Sequence, residues 1–141
     1  MFNCKVIISI SMLGVFFLSS CKKYDDGPAI SLRSKKERIA NDWRIDKAFD
    51  NGNDVTNSFD QYEVSFSKEG SANLTAHYSF FGIDYDYTTS GTWDLENNNE
   101  KIRVDYETDA ADANYFILRL KEKELWVREE GTNLELHLIP R

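Results

Sequence analysis

The stretch "YEVSFSKEGSANLT", residues 62–75, decides the fold. Tyr62, Val64 and Phe66 fall on one side of a run with period two, and Leu74 belongs to a second alternating run beyond the turn. Between the runs, "SKEGS" reads as a tight turn in which Gly70 supplies a position open to positive φ. Two alternating runs joined by so short a turn predict an antiparallel hairpin with one face buried.

The same pattern continues on both sides. Residues 43–49 set Trp43, Ile45 and Lys47 against Arg44, Asp46 and Ala48, and end at the turn "DNGND". Residues 61–67 and 72–80 form the quoted hairpin, the second strand placing Leu74, Ala76, Tyr78 and Phe80 on one face before Phe81-Gly82 breaks it. The long run 83–95 carries Tyr85, Tyr87, Thr89, Gly91, Trp93 and Leu95 on one face, with Gly91 permitting a bend. Residues 101–107 present Ile102, Val104 and Tyr106, while 115–120 is apolar on both faces except at Arg119. Residues 125–129 follow, and 133–139 shows Leu134, Leu136 and Leu138 before Pro140 ends pairing. Ahead of all of them, "SLRSKKERIAN" (residues 31–41) has Ser31 and Ser34 as cap candidates and predicts a short helix.

Eight strands with hairpin-length connections fit either a two-sheet sandwich or a closed barrel. Short sequential links favour closure, because closure removes exposed edges. The expected fold is all-β: an eight-stranded antiparallel up-and-down barrel behind a short N-terminal helix. At eight strands the interior holds side chains or one small ligand.

With 141 residues, 41% hydrophobic, the chain suits one domain with a core. Its formal charge of −7 offers no basic footprint, so nucleic acid is not an expected partner. Cys4 and Cys21 both precede the patterned region, so no disulfide framework is expected to hold the domain.

Residues 1–20 read as a signal peptide: Lys5, then an apolar run from Val6 to Leu18, then Ser19-Ser20. The run of 13 residues reaches roughly 20 Å as a helix, short of a bilayer's ~30 Å core. Leu18-Ser19-Ser20-Cys21 resembles a bacterial lipobox, which implies that Cys21 is lipidated and becomes the first mature residue. Several acyl chains, each buried methylene contributing about 0.8 kcal/mol, would make a durable anchor. Loss of Lys5 takes the formal charge from −7 to −8, so the lipid would hold the protein against repulsion from an anionic surface. The polar segment 21–31 reads as a tether reaching roughly 17 Å, and 32–141 as the barrel domain.

Four features resemble the lipocalin-like lipoproteins of Bacteroidetes-type bacteria, within the calycin group. They are the helical lead-in to Trp43, the hairpin quoted above, "GTWDLENNNEKIRV" (residues 91–104) and "YFILRLKEKELWV" (residues 115–127). The chain has Asn41 where true lipocalins have a glycine, and only Thr108-Asp109 echoes their Thr-Asp-Tyr signature. The resemblance implies the barrel, Trp43 as a base-packing residue, and an arginine across it, either Arg128 or Arg141. Lys22-Lys23-Tyr24-Asp25-Asp26 resembles the charged signal of outer-membrane lipoproteins, which implies the periplasmic or outer face of that membrane.

No catalytic motif is present, and no enzyme, metal or cofactor is expected. His77 and His137 each stand alone opposite apolar neighbours, which predicts surface positions, and no Gly-x-Ser-x-Gly occurs. In "DNGND" glycine falls at the third position rather than the sixth, against a calcium loop. The aromatic stretch "HYSFFGIDYDYTTSGTW" either lines a ligand cavity or stacking surface with Tyr78, Phe80, Tyr85, Tyr87 and Trp93, or fills the core with those rings. The expected function is a non-enzymatic, lipid-anchored envelope module, holding a small apolar or amphipathic ligand or, alternatively, docking an envelope protein through a solid barrel. An internal cavity of roughly 300 Å³ or more would separate the two. Cys21→Ser is expected to abolish metabolic lipid labelling and release the protein from the membrane fraction; a labelled, membrane-bound variant would sink the lipobox reading.

Overall fold

The computed structural model describes residues 32–141, apart from the side chains of 78–80. Residues 1–31, on which the signal-peptide, lipobox and tether readings fall, lie outside the described residues.

A helix α1 (Lys35–Ile39) precedes nine strands: β1 (Asp42–Asp50), β2 (Asn53–Asp54), β3 (Tyr62–Phe66), β4 (Ser71–Phe80), β5 (Ile83–Glu96), β6 (Lys101–Tyr106), β7 (Ala113–Lys121), β8 (Glu124–Glu129) and β9 (Leu134–Pro140). β2 is a two-residue ladder on the end of β1. The other eight pair antiparallel with their sequence neighbours, and β9 returns to β1 through seven residue pairs, from Trp43 opposite Pro140 to Asp50 opposite Leu134. The result is the expected closed eight-stranded antiparallel barrel.

Alternation in sequence becomes inside and outside here. Tyr62, Val64 and Phe66 of β3 face Ala76, Leu74 and Ala72 of β4, so large and small side chains interdigitate. The turn between them closes through Ser67 N to Ser71 O at 2.9 Å, with Gly70 at φ 98°.

Two bulges alter the predicted faces. The β1–β9 register shifts between Ile45 and Lys47, so Asp46 is the extra residue. Ala48 rather than Lys47 therefore joins Trp43 and Ile45 inside, and Lys47 is exposed. A second shift between Ile117 and Arg119 explains why β7 reads as apolar on both faces. Ile117 pairs with the buried Val127 and Leu120 with the buried Leu125, with Leu118 as the spare residue between them.

One end of the barrel is plugged. α1 begins with a capping box, Glu37 N donating to Ser34 Oγ at 3.2 Å and Ser34 N to Glu37 Oε2 at 2.8 Å. It buries Ile39 completely, and the Ile39 carbonyl accepts from Trp43 Nε1 at 2.8 Å. Trp43, at 0% exposure, thus packs beneath α1 at this end. Burying an indole is worth roughly 4–6 kcal/mol at 25 cal/mol/Å². Among the described residues neither arginine named from the resemblance stacks on Trp43. Arg128 lies over Phe116 at 5.7 Å, and Arg141 pairs with Glu63 at 2.9 Å.

Gly91 sits where β5 carries both neighbours, opposite Ala72 of β4 and Tyr106 of β6. A methyl group there would lie 2.6 Å from Tyr106 Cα and closer still to the Asp105 carbonyl oxygen. Backbone has nowhere to retreat at this point of closure. Gly91→Ala is expected to destabilise the protein by about 1–3 kcal/mol in urea unfolding; an unshifted midpoint would show that β6 does not press on this position.

Candidate functional site

Connections alternate between the two ends, which places the loops 51–61, 107–112 and 130–133 at the end opposite α1. Beneath them the barrel encloses a cavity of about 160 Å³. Its walls are apolar, built from Ile45, Val64, Leu74, Ile102, Val127, Leu136 and Leu138 among others. Phe59 and Ala111 reach it from two single-turn helical segments in the mouth loops, Thr56–Ser58 and Asp109–Ala111. The first of these stands where β1 has parted from β3, held by Val55 N to Ala48 O at 2.9 Å and Ala48 N to Thr56 Oγ1 at 3.1 Å.

The polar side chains among the lining residues are Tyr62, Glu63, Tyr106, Tyr115 and Glu129. Each tyrosine continues the inward face of its strand, and Tyr115 stands directly opposite Glu129 in the β7–β8 ladder. Tyr106 is only 5% exposed. Among the described residues, neither its hydroxyl nor that of Tyr115 makes a hydrogen bond, although both side chains line the cavity. Neither hydroxyl oxygen is among the fully buried unpartnered atoms, so each keeps some open surface. Burial, with Tyr115 and Tyr87 as lesser contributors, raises the Tyr106 hydroxyl above its ordinary value. Burial and then the Glu129 carboxylate push Tyr115 up to about 12. Both hydroxyls are therefore neutral donors at ordinary pH.

Of the residues read from sequence as ligand-binding, Trp93 packs at the base. Its ring lies 5.1 Å from Phe66, its Nε1 donates to Ser67 O at 2.8 Å, and Lys36 Nζ stands 5.4 Å over it. Tyr85 and Tyr87 are not among the cavity-lining residues. They belong to a ribbon that rises beyond the barrel wall, since β3 reaches only Ala76 of β4 and β6 reaches only Gly91 of β5. Phe81 at the ribbon tip is 90% exposed, Ile83 57% and Tyr85 51%. Tyr78 and Phe80 lie in the same ribbon, and their side chains are outside the described residues. Trp93 thus stands at the base and Tyr85 in the ribbon, while Tyr87, half-buried opposite Ala76, lies near enough to Tyr106 to act on its hydroxyl.

The histidines lie on the outer surface. His77 Nδ1 meets Asp86 Oδ1 across the ribbon at 2.5 Å, and His137 stacks on Trp126 with centroids 3.9 Å apart. Among the described residues no cluster of three or more His, Cys, Asp or Glu is placed to hold a metal ion. The polar cavity group was not singled out from sequence. Parity places Tyr106 inward, and extending the β8 alternation from Leu125 through Val127 reaches Glu129, which is the signal that would have found it.

Compared with known proteins, the chain matches no family model and no curated protein.

Because the folded state holds these tyrosines protonated, their contribution to stability is complete below the unfolded value near 10. It is lost as pH rises through 10 toward 12. Tyrosinate absorbance is expected to show two groups that ionise only together with unfolding. Smooth titration of every tyrosine near pH 10 in a folded protein would contradict the burial of this pair.

Proposed function

We propose that this protein is a non-enzymatic, lipid-anchored module of the cell envelope whose lipocalin-like barrel holds a small amphipathic ligand. The observation that carries the reading is the cavity itself: apolar walls with a few polar groups, two of them tyrosine hydroxyls with no hydrogen-bond partner among the described residues. At about 160 Å³ the space falls short of the roughly 300 Å³ set above to separate the two readings, yet it is close to the 150 Å³ cavity that accepts benzene. The ligand is therefore compact, about one ring in size, rather than a long acyl chain.

Anchoring rests on the lipobox-like Leu18-Ser19-Ser20-Cys21, and the outer-membrane location on the charged residues behind it. A second reading, docking of an envelope protein, is favoured by the exposed Phe81, Ile83 and Tyr85 on the projecting ribbon. Residues 83–89 of β5 pair only with β4, so a backbone edge is open to strand addition there. Native mass spectrometry of protein isolated from its own host is expected to show a bound small molecule that denaturation releases. Protein that arrives without one, yet co-purifies with a polypeptide lost on removing the ribbon tip, would replace the first reading with the second.

A further inference from the structure

We propose that the cavity selects a primary amine, an ammonium group carried on an apolar body about the size of one ring. This rests on the ligand-binding reading and names the ligand class. The inference comes from the charge inventory around the cavity.

Glu129 lines the cavity and is half-buried, at the end of β8. Among the described residues its carboxylate has no Lys, Arg or His within ion-pair distance; Thr132 Oγ1 approaches Oε2 at 3.2 Å. The nearby Lys101 is engaged elsewhere, with Glu130 at 2.8 Å. Glu63, the other acid among the lining residues, is paired with Arg141 at 2.9 Å. Among the described residues no lysine, arginine or histidine lines the cavity; Arg103 shares an outer groove with Glu129 but is paired with Glu96 and Asp105.

That inventory discriminates between ligand classes. A carboxylate or phosphate would meet an unneutralised acid and no cation. A neutral alcohol would satisfy a tyrosine hydroxyl, yet leave Glu129 further desolvated and unpaired. An ammonium group pairs with Glu129 through a charge-assisted hydrogen bond and donates to the hydroxyl oxygens of Tyr106 and Tyr115. The tyrosine rings add cation–π attraction, and the Leu, Ile and Val walls receive the apolar body.

Four probes of one shape test the class: benzylamine, benzyl alcohol, toluene and benzoate, titrated into the full-length protein at neutral pH and followed by NMR. Benzylamine is expected to bind at least about tenfold more tightly than benzyl alcohol, with benzoate weakest. Glu129→Gln is expected to bring amine and alcohol to near-equal affinity while toluene still binds, which shows that the variant's cavity is intact. Equal affinity of amine and alcohol in the unaltered protein, or preferred binding of benzoate, would overturn the amine class and leave the ligand-binding reading standing. Failure of all four to bind more tightly than about 10 mM would overturn both.

Discussion

Pairing of β1 with β9 is the constraint on which the rest of the structure depends. Without it the sheet would be an open meander with two bare edges; with it, every barrel strand has two neighbours and the interior radius follows from strand number. The contact joins residues 43–50 to residues 134–140, almost the two ends of the described chain. Closure therefore comes at a large loop entropy, which side chains buried on both strands must offset. Trp43, Ile45, Ala48, Leu136 and Leu138 supply that burial. The bulge at Asp46 is what lets β1 keep apolar groups inward along the whole seam, because a strict alternation would have carried Lys47 into the core.

A barrel of fixed radius must be filled, and this one is filled unevenly. At the base, Trp43, Trp93, Phe66 and Ile39 occupy the space, and α1 covers the end with its caps satisfied. Small residues, Ala72, Ala76, Thr89 and Gly91, recur along β4 and β5 from the base upward. The open volume lies instead among Ile45, Val64, Leu74, Val127 and Leu136, below Phe59 and Ala111. The residues around that space include two tyrosines and a glutamate, Tyr106, Tyr115 and Glu129, among otherwise apolar walls. Filling and emptiness thus divide along the barrel axis into a structural end and a chemical end.

Much of the fold was legible because period-two patterning is a direct image of the pleat. The hairpin at residues 62–75 shows it plainly, with Tyr62, Val64 and Phe66 all inward as read. The bulges were not legible, since a single extra residue such as Asp46 or Leu118 leaves no compositional mark and is fixed by register with a partner strand far away in sequence. The site was harder still. The aromatic stretch from His77 to Trp93 shares one parity throughout, but parity does not say where the barrel wall stops. That limit is set by the lengths of β3 and β6, and it sends Trp93 to the base, Thr89 into the wall and Tyr85 into the ribbon. Glu129 escaped notice because an acid at a strand end reads as a solvated terminus, and only the ladder with Tyr115 brings it against the cavity.

Topology also bears on orientation. The described chain begins beside α1, where Lys35 Nζ reaches the Asn99 carbonyl at 3.3 Å and Arg33 meets Glu122 at 3.9 Å, both partners in base turns. A lipid on Cys21, joined through the segment before residue 32, would accordingly attach at the base. The mouth opens at the opposite end, and the ribbon bearing Phe81, Ile83 and Tyr85 projects beyond it. β4 alone, at ten residues and about 3.3 Å each, spans roughly 33 Å, about twice the rms reach of the tether. With the base toward the bilayer, as the proposed anchor would hold it, a cavity placed this way would face the aqueous side rather than the membrane, which agrees with a space too small for an acyl chain.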